Sequence, residues 1–177
     1  MLPELDKIHE ECGVFGLYAP GQDVARMTFF GLYALQHRGQ ESAGIAAADG
    51  HRVVVTKDMG YVADIFTSER LATLHGHAAI GHTRYSTAGE SGLMNAQPIL
   101  IDCAHGQIAI AHNGNLVNAQ ELKDHLVRLG SIFQTSSDTE VILHLYARSR
   151  AATMEDAIIE SISQVRGAFS LVMLTPT

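Results

Sequence analysis

Cys12 stands in Glu10-Glu11-Cys12-Gly13-Val14-Phe15-Gly16, a thiol at the head of a strand-like run with glycines beside it. Such a cysteine reads first as a small buried residue. At a strand start with room for a substrate, it also reads as a nucleophile. No histidine neighbours it in sequence. If the Glu11–Cys12 bond were cleaved, the freed α-amino group, with a pKa of about 7.7–8.0, would supply a base from within the same residue. His112-Asn113-Gly114-Asn115 carries an Asn-Gly turn signal. It also carries two donors, the Asn113 amide and the Gly114 N–H, that can converge on an oxyanion. Arg84 ends another strand candidate and offers a bidentate clamp for a carboxylate. Asp138 reads as an N-cap or first-turn acid. Together, one fixed cation and one fixed anion are what a zwitterionic amino acid requires.

Two rival chemistries are weaker. Asp102-Cys103-Ala104-His105 places a thiol and an imidazole two residues apart, on one face of a strand, but with no oxyanion donor evident nearby. Ten histidines, His75, His77 and His82 among them, invite a metal reading. No HExxH or CxxC pattern accompanies them, so no metal ligand is assigned. Walker A, GxGxxG and GxSxG patterns are absent from the sequence.

These groups need a frame. The chain has 177 residues, 46% hydrophobic and 18% charged, enough for one domain with a sizeable core. Lys and Arg number 12 against 19 Asp and Glu, a net charge of −7, so no basic excess exists to neutralise nucleic-acid phosphates. The longest apolar runs fall far short of a membrane span. With an acidic start and two cysteines, the chain reads as cytoplasmic with free thiols. Strands are expected at 14–18, 44–48, 52–57, 78–85 and 107–112, and a helix at 23–36 packing through Val24, Met27, Phe30 or Gly31, and Ala34. Asn118 to Glu121 resembles a capping box. Ser137 or Asp138 and then Thr153 cap two further helices, and 168–174 reads as a fully buried strand. That strand runs almost directly into Thr175-Pro176-Thr177, so the chain reads as cut within a domain. The pattern is α+β, without the regular rhythm of a doubly wound sheet.

Six segments occur in one order: ECGVFG, LQHRGQESAGI, GHTRYSTAG, NAQP, AHNGNLVN and TSSDTE. The series closely resembles the class II, N-terminal-nucleophile glutamine amidotransferase domain. QHRGQE, HTRY and HNGNL are similar to the branch that feeds ammonia to phosphoribosyl pyrophosphate; the glucosamine-6-phosphate synthase branch typically has YRGYDS, HTRWAT and HNGI. The resemblance implies a four-layer αββα sandwich of the Ntn-hydrolase type, cut short at its C-terminal end. It implies that residues 1–11 are a propeptide and 12–177 an incomplete amidotransferase domain, with the phosphoribosyltransferase domain absent. By motif, Cys12 is the nucleophile, Asn113 and Gly114 the oxyanion pair, Arg84 the α-carboxylate site and Asp138 the α-amino site. Arg38 lies in a glutamine-site loop. Glutamine is the implied substrate, and the whole enzyme a homo-oligomer. Mg2+ and a 4Fe-4S cluster would belong to a downstream part, since two cysteines cannot hold a four-cysteine cluster. Another ammonia acceptor, or a non-catalytic glutamine-binding module, are the alternatives.

Overall fold

The computed structural model describes residues 12–85 and 92–177. The expected propeptide, and residues 86–91 at the end of GHTRYSTAG, lie outside them. Among the described residues, seven strands form two antiparallel sheets. The first contains β1 (Gly13–Tyr18), β2 (Ser42–Ala48), β3 (Val53–Met59) and β4 (Ala78–Arg84), in the order β1-β4-β2-β3. The second contains β5 (Ile99–Cys103), β6 (Gly106–Leu116) and β7 (Gly167–Leu174), in that order. Helix α1 (Val24–Ala34) and the short α2 (Val62–Ile65) and α3 (Ser68–Leu71) accompany the first sheet. Helices α4 (Ala119–Arg128), α5 (Thr139–Arg148) and α6 (Met154–Ile162) accompany the second. No helix among the described residues is long and apolar enough to cross a membrane.

Period-two alternation decides which face each strand gives to which neighbour. In β6, Ile108 and Ile110 join α4, α5 and α6 in one cluster, while Ala109 and Ala111 turn the other way. In β2, Ile45 and Ala47 pack with Val24, Ala25 and Leu32 of α1, while Ala46 and Ala48 turn toward Ala109 and Ala111. Alanines thus line much of the gap between the sheets, and small side chains let the sheets approach.

Several elements differ from the sequence expectation. Helix α1 buries Val24, Ala25, Thr28 and Leu32, leaving Met27 and Phe30 45% and 61% exposed. The packed face is rotated because Gly31 rests on the Phe15 ring, where a Cβ would come within 2.6 Å. Asn118 precedes α4 but does not cap it with its side chain. Instead Asn118 Nδ2 donates to Gln164 O at 2.9 Å and its Oδ1 accepts from Arg166 N at 2.8 Å, tying α4 to the approach to β7. Thr153 does cap α6, accepting from Asp156 N at 3.1 Å. Strand β7 is half exposed and pairs only with β6 among the described residues. Its apolar residues serve two faces: Phe169, Leu171 and Met173 face the helices while Val172 and Leu174 face the first sheet.

If the alanines set the sheet spacing, Ala46→Leu should destabilise the fold by about 1–3 kcal/mol through overpacking. Urea unfolding checks this, and an unchanged midpoint refutes it.

Candidate active site

Gly13 pairs with Thr83 across β1 and β4, which sets Cys12 beside the end of β4. The Cys12 thiol lies 3.5 Å from Tyr85 O and 3.4 Å from Tyr85 N, so it can donate to one as a thiol and accept from the other as a thiolate. Burial pushes the thiol pKa up, and the Tyr85 backbone contact and the charge of Arg84 do not reverse this. The structure therefore gives Cys12 a place to react but no activation strong enough to ionise it. The 3-10 turn Gln36–Arg38 reaches the same corner because Gly39 sits against the Thr83–Arg84 backbone, where a Cβ would lie 2.7 Å from both carbonyl carbons. Arg38 Nε donates to Cys12 O at 3.3 Å.

In β4, Ala78 and Ile80 face the gap between the sheets, and the same parity turns His82 and Arg84 that way. Arg84 is not paired with Asp138. Its Nε lies 3.8 Å from Glu41 Oε1, beyond a hydrogen bond. Arg84 Nη1 and both Glu41 oxygens are buried without a hydrogen-bond partner. A guanidinium edge with unused donors suits an incoming carboxylate. Glu41, a largely buried acid inside LQHRGQESAGI with its side chain 14% exposed, was not singled out by the sequence.

Asn113 and Gly114 do not form a turn. Strand β6 runs straight through them, with Asn113 opposite Ser170 and Gly114 opposite Phe169. Asn113 shares the parity of Ala109 and Ala111, so its side chain faces the first sheet, which carries Cys12. The backbone parity is equally informative. Val117 N donates to Arg166 O at 2.8 Å, so odd-numbered N–H groups in this stretch face β7 and even-numbered ones face the opposite edge. On that edge β5 has already ended, its last pair being Ile99 with Ile110. His112 N donates to Gln97 Oε1 at 2.7 Å and Leu116 N to Asp138 Oδ2 at 2.9 Å. The Gly114 N–H points out between them. Gly114 has φ +140°, and a Cβ there would lie 2.2 Å from Ala168 O, so no other residue fits.

Asp138 sits at the N-cap position of α5 yet makes no side-chain cap bond. Its carboxylate turns instead to Leu116 N and to His112 Nδ1, 3.5 Å away. Burial alone would raise its pKa, but the His112 ring and the Leu116 and Thr139 N–H groups hold it below the usual carboxylate range. Ser137 Oγ accepts from Thr139 N at 3.3 Å, so of the two expected caps it is Ser137 that bonds the helix backbone. The preceding loop is closed by Glu140, whose oxygens accept from Gln134 N, Thr135 N and Thr135 Oγ1 at 2.7–2.8 Å. His112, Thr139 and Glu140 were not identified from sequence, although the alternation of Ile108 and Ile110 already places His112 on the helix side.

The rival thiol site is not assembled. Cys103 Sγ donates to Gly106 O at 3.4 Å, while the His105 ring nitrogen lies 3.0 Å from Ser149 O. Among the described residues, no three His, Cys, Asp or Glu side chains stand where they could hold one metal ion.

A thiol on one sheet facing an amide and an open N–H on the other is an arrangement for acyl transfer from an amide. Residues 82–177 match the family described as the glutamine amidotransferase domain, and the chain belongs to that family. Its curated relatives include the amidophosphoribosyltransferase of Bacillus subtilis (strain 168), 47% identical over 178 residues, covering 100% of this chain and 37% of that protein. Amidophosphoribosyltransferase 3, chloroplastic, of Arabidopsis thaliana is 48% identical over 171 residues, covering 97% and 32%. A solved structure described as the allosteric regulatory enzyme of purine biosynthesis superposes with a TM-score of 0.88 at 47% identity, over 93% of this chain and 35% of that one. The chain spans about a third of the length of these relatives.

His82 locks the two sheets together at this corner: its Nε2 lies 3.0 Å from His112 O, and burial lowers its pKa to about 3. The unfolded imidazole binds a proton near 6.5 and the folded one only near 3. Between those values the unfolded chain holds more protons, so stability should be lost as the pH drops, by roughly 1.4 kcal/mol per unit. His82→Gln, which does not titrate, should flatten that acid limb in urea unfolding; an unaltered limb refutes the assignment.

Proposed function

We propose that these residues form the glutaminase half of an amidophosphoribosyltransferase, with the fold completed as a four-layer αββα sandwich of the Ntn-hydrolase type. The three core clusters, one between the sheets and one under the helices on each side, support that layering. Residues 1–11 are the propeptide and 12–177 belong to the amidotransferase domain. The observation that carries the reading is the Gly114 N–H on the open edge of β6, between the bonds to Gln97 and Asp138, with Asn113 facing the sheet that holds Cys12.

Glutamine then binds as a zwitterion, its α-carboxylate on Arg84 and its α-ammonium on Asp138. Arg38, holding Cys12 O, fixes the nucleophile's backbone. Once Cys12 is the first residue, its α-amino group takes the thiol proton and Sγ attacks the γ-carboxamide carbon. The oxyanion accepts from Asn113 Nδ2 and Gly114 N–H. On collapse the C–N bond breaks, and the α-ammonium returns its proton to the leaving nitrogen, which departs as ammonia. Water then attacks the γ-glutamyl thioester and gives up a proton to the same amine, and glutamate and the thiol are released. The raised thiol pKa makes this internal base necessary.

In the whole enzyme the ammonia replaces pyrophosphate on phosphoribosyl pyrophosphate, giving 5-phosphoribosylamine for purine synthesis. That step, with its Mg2+ and any 4Fe-4S cluster, belongs to residues outside this segment, since only Cys12 and Cys103 are present. The assembled enzyme is a cytoplasmic homo-oligomer.

In the full-length protein, Cys12→Ala should abolish ammonia release from glutamine while Cys103→Ala leaves it intact; the reverse result overturns the site. Intact-mass analysis beside the same assay should find activity only in chains that begin at Cys12. Asn113→Ala should lower kcat by about 10²–10³-fold through loss of one oxyanion donor.

A further inference from the structure

The segment Asn95-Ala96-Gln97-Pro98 touches both halves of the substrate site from behind. Gln97 is 6% exposed; its Oε1 accepts from His112 N at 2.7 Å and its Nε2 donates to Thr139 Oγ1 at 3.2 Å. Asn95 is 4% exposed; its Oδ1 accepts from Ser136 N at 3.0 Å and its Nδ2 donates to Ser136 Oγ at 2.9 Å. One amide fixes β6 two residues before Gly114, on the edge where the Gly114 N–H emerges. The other fixes the loop two residues before Asp138.

The segment is itself held from the first sheet. Lys57 Nζ on β3 donates to Ala96 O at 2.5 Å and lies 3.4 Å from Pro98 O, so it grips the carbonyls on both sides of Gln97. Gly44 on β2 lets the chain lie close, since a Cβ there would fall 2.2 Å from Gln97 O. A rigid bracket therefore runs from β2 and β3 to the β6 edge and the Asp138 loop.

We propose that Gln97 and Asn95 are positioning residues with separable duties. Gln97 aims the oxyanion donor of β6, and Asn95 sets the depth of the carboxylate that receives the substrate ammonium. The assignment rests on the glutaminase reading, and it predicts a division between kinetic constants that loss of packing alone would not produce. Gln97 acts on a group used most in the transition state, so its loss lowers kcat. Asn95 acts on ground-state recognition, so its loss raises KM.

The test compares Gln97→Met, Gln97→Glu and Asn95→Leu in the full-length protein, reading kcat and KM for glutamine together with Tm. Gln97→Met keeps volume but loses both bonds, and kcat should fall about 10²-fold with KM little changed. Gln97→Glu keeps an acceptor for His112 N, and the Thr139 hydroxyl can reverse its role, so most of the lost kcat should return. Asn95→Leu should raise KM about tenfold with kcat largely kept. Should Gln97→Met not fold, Lys57→Met frees the Ala96 and Pro98 carbonyls from outside the site and should lower kcat and raise KM together, since both arms of the bracket loosen. If the unaltered protein releases ammonia from glutamine and the variants shift only Tm, the assignment is overturned while the glutaminase reading stands. If the unaltered protein releases none, the reading itself fails and the assignment falls with it.

Discussion

The hydrogen bond from the His112 amide to the Gln97 side chain, 2.7 Å long, stands in for the backbone rung that a longer β5 would have supplied. A side-chain amide can satisfy one strand position and then stop, whereas a continuing strand would have paired the next even-numbered residue as well. The Gly114 N–H is exposed to the site because of that substitution. Asp138 closes the same edge one step further on, through Leu116 N. The two acceptors bracket the open donor, and each is held by a loop packed against the other sheet or the start of α5. The placement of the open Gly114 N–H is thus inherited from the end of a β-ladder.

The electrostatics follow from this arrangement. Asp138 is kept ionised despite burial by N–H groups aimed at it, which is how a fixed anion survives in a partly buried place. Arg84 keeps Nη1 without a hydrogen bond beside Glu41, which it meets only at ion-pair distance. Cys12 receives no comparable help, and burial leaves it a thiol. In the proposed reaction that charge holds the substrate, and proton transfer is left to the α-amino group of Cys12.

Much of this was legible in the sequence, for physical reasons that differ from residue to residue. Alternation found most of the strands, and Thr153 announced its helix because a β-branched hydroxyl before Glu155 and Asp156 has few other uses. Motif order named Cys12, Arg84, Asn113, Gly114 and Asp138. The supporting residues were harder to see. Asn118 looked like a cap, but tertiary contacts to Gln164 and Arg166 took its side chain. The Asn-Gly pair looked like a turn, because its φ requirement is also met by a glycine inside a strand crowded by Ala168 O. Gln97 and Asn95 stand in the NAQP segment, but no role could be read for them there, since their partners lie 15 and 41 residues away. Helix α1 misled because its apolar residues exceed what one face can bury.

The alanine lining between the sheets has a consequence for how steady the site is. Alanine has no rotamers to lose or to exchange, so ordering it costs no side-chain entropy, and it cannot readjust when a neighbour shifts. Ala46, Ala48, Ala78, Ala109 and Ala111 therefore behave as fixed spacers rather than as a deformable filling. Cys12 rides on one side of that spacer and Asn113 and Gly114 on the other. Their separation is set by methyl groups in contact, a gauge with no moving parts, and thermal motion reaches it only by moving whole sheets.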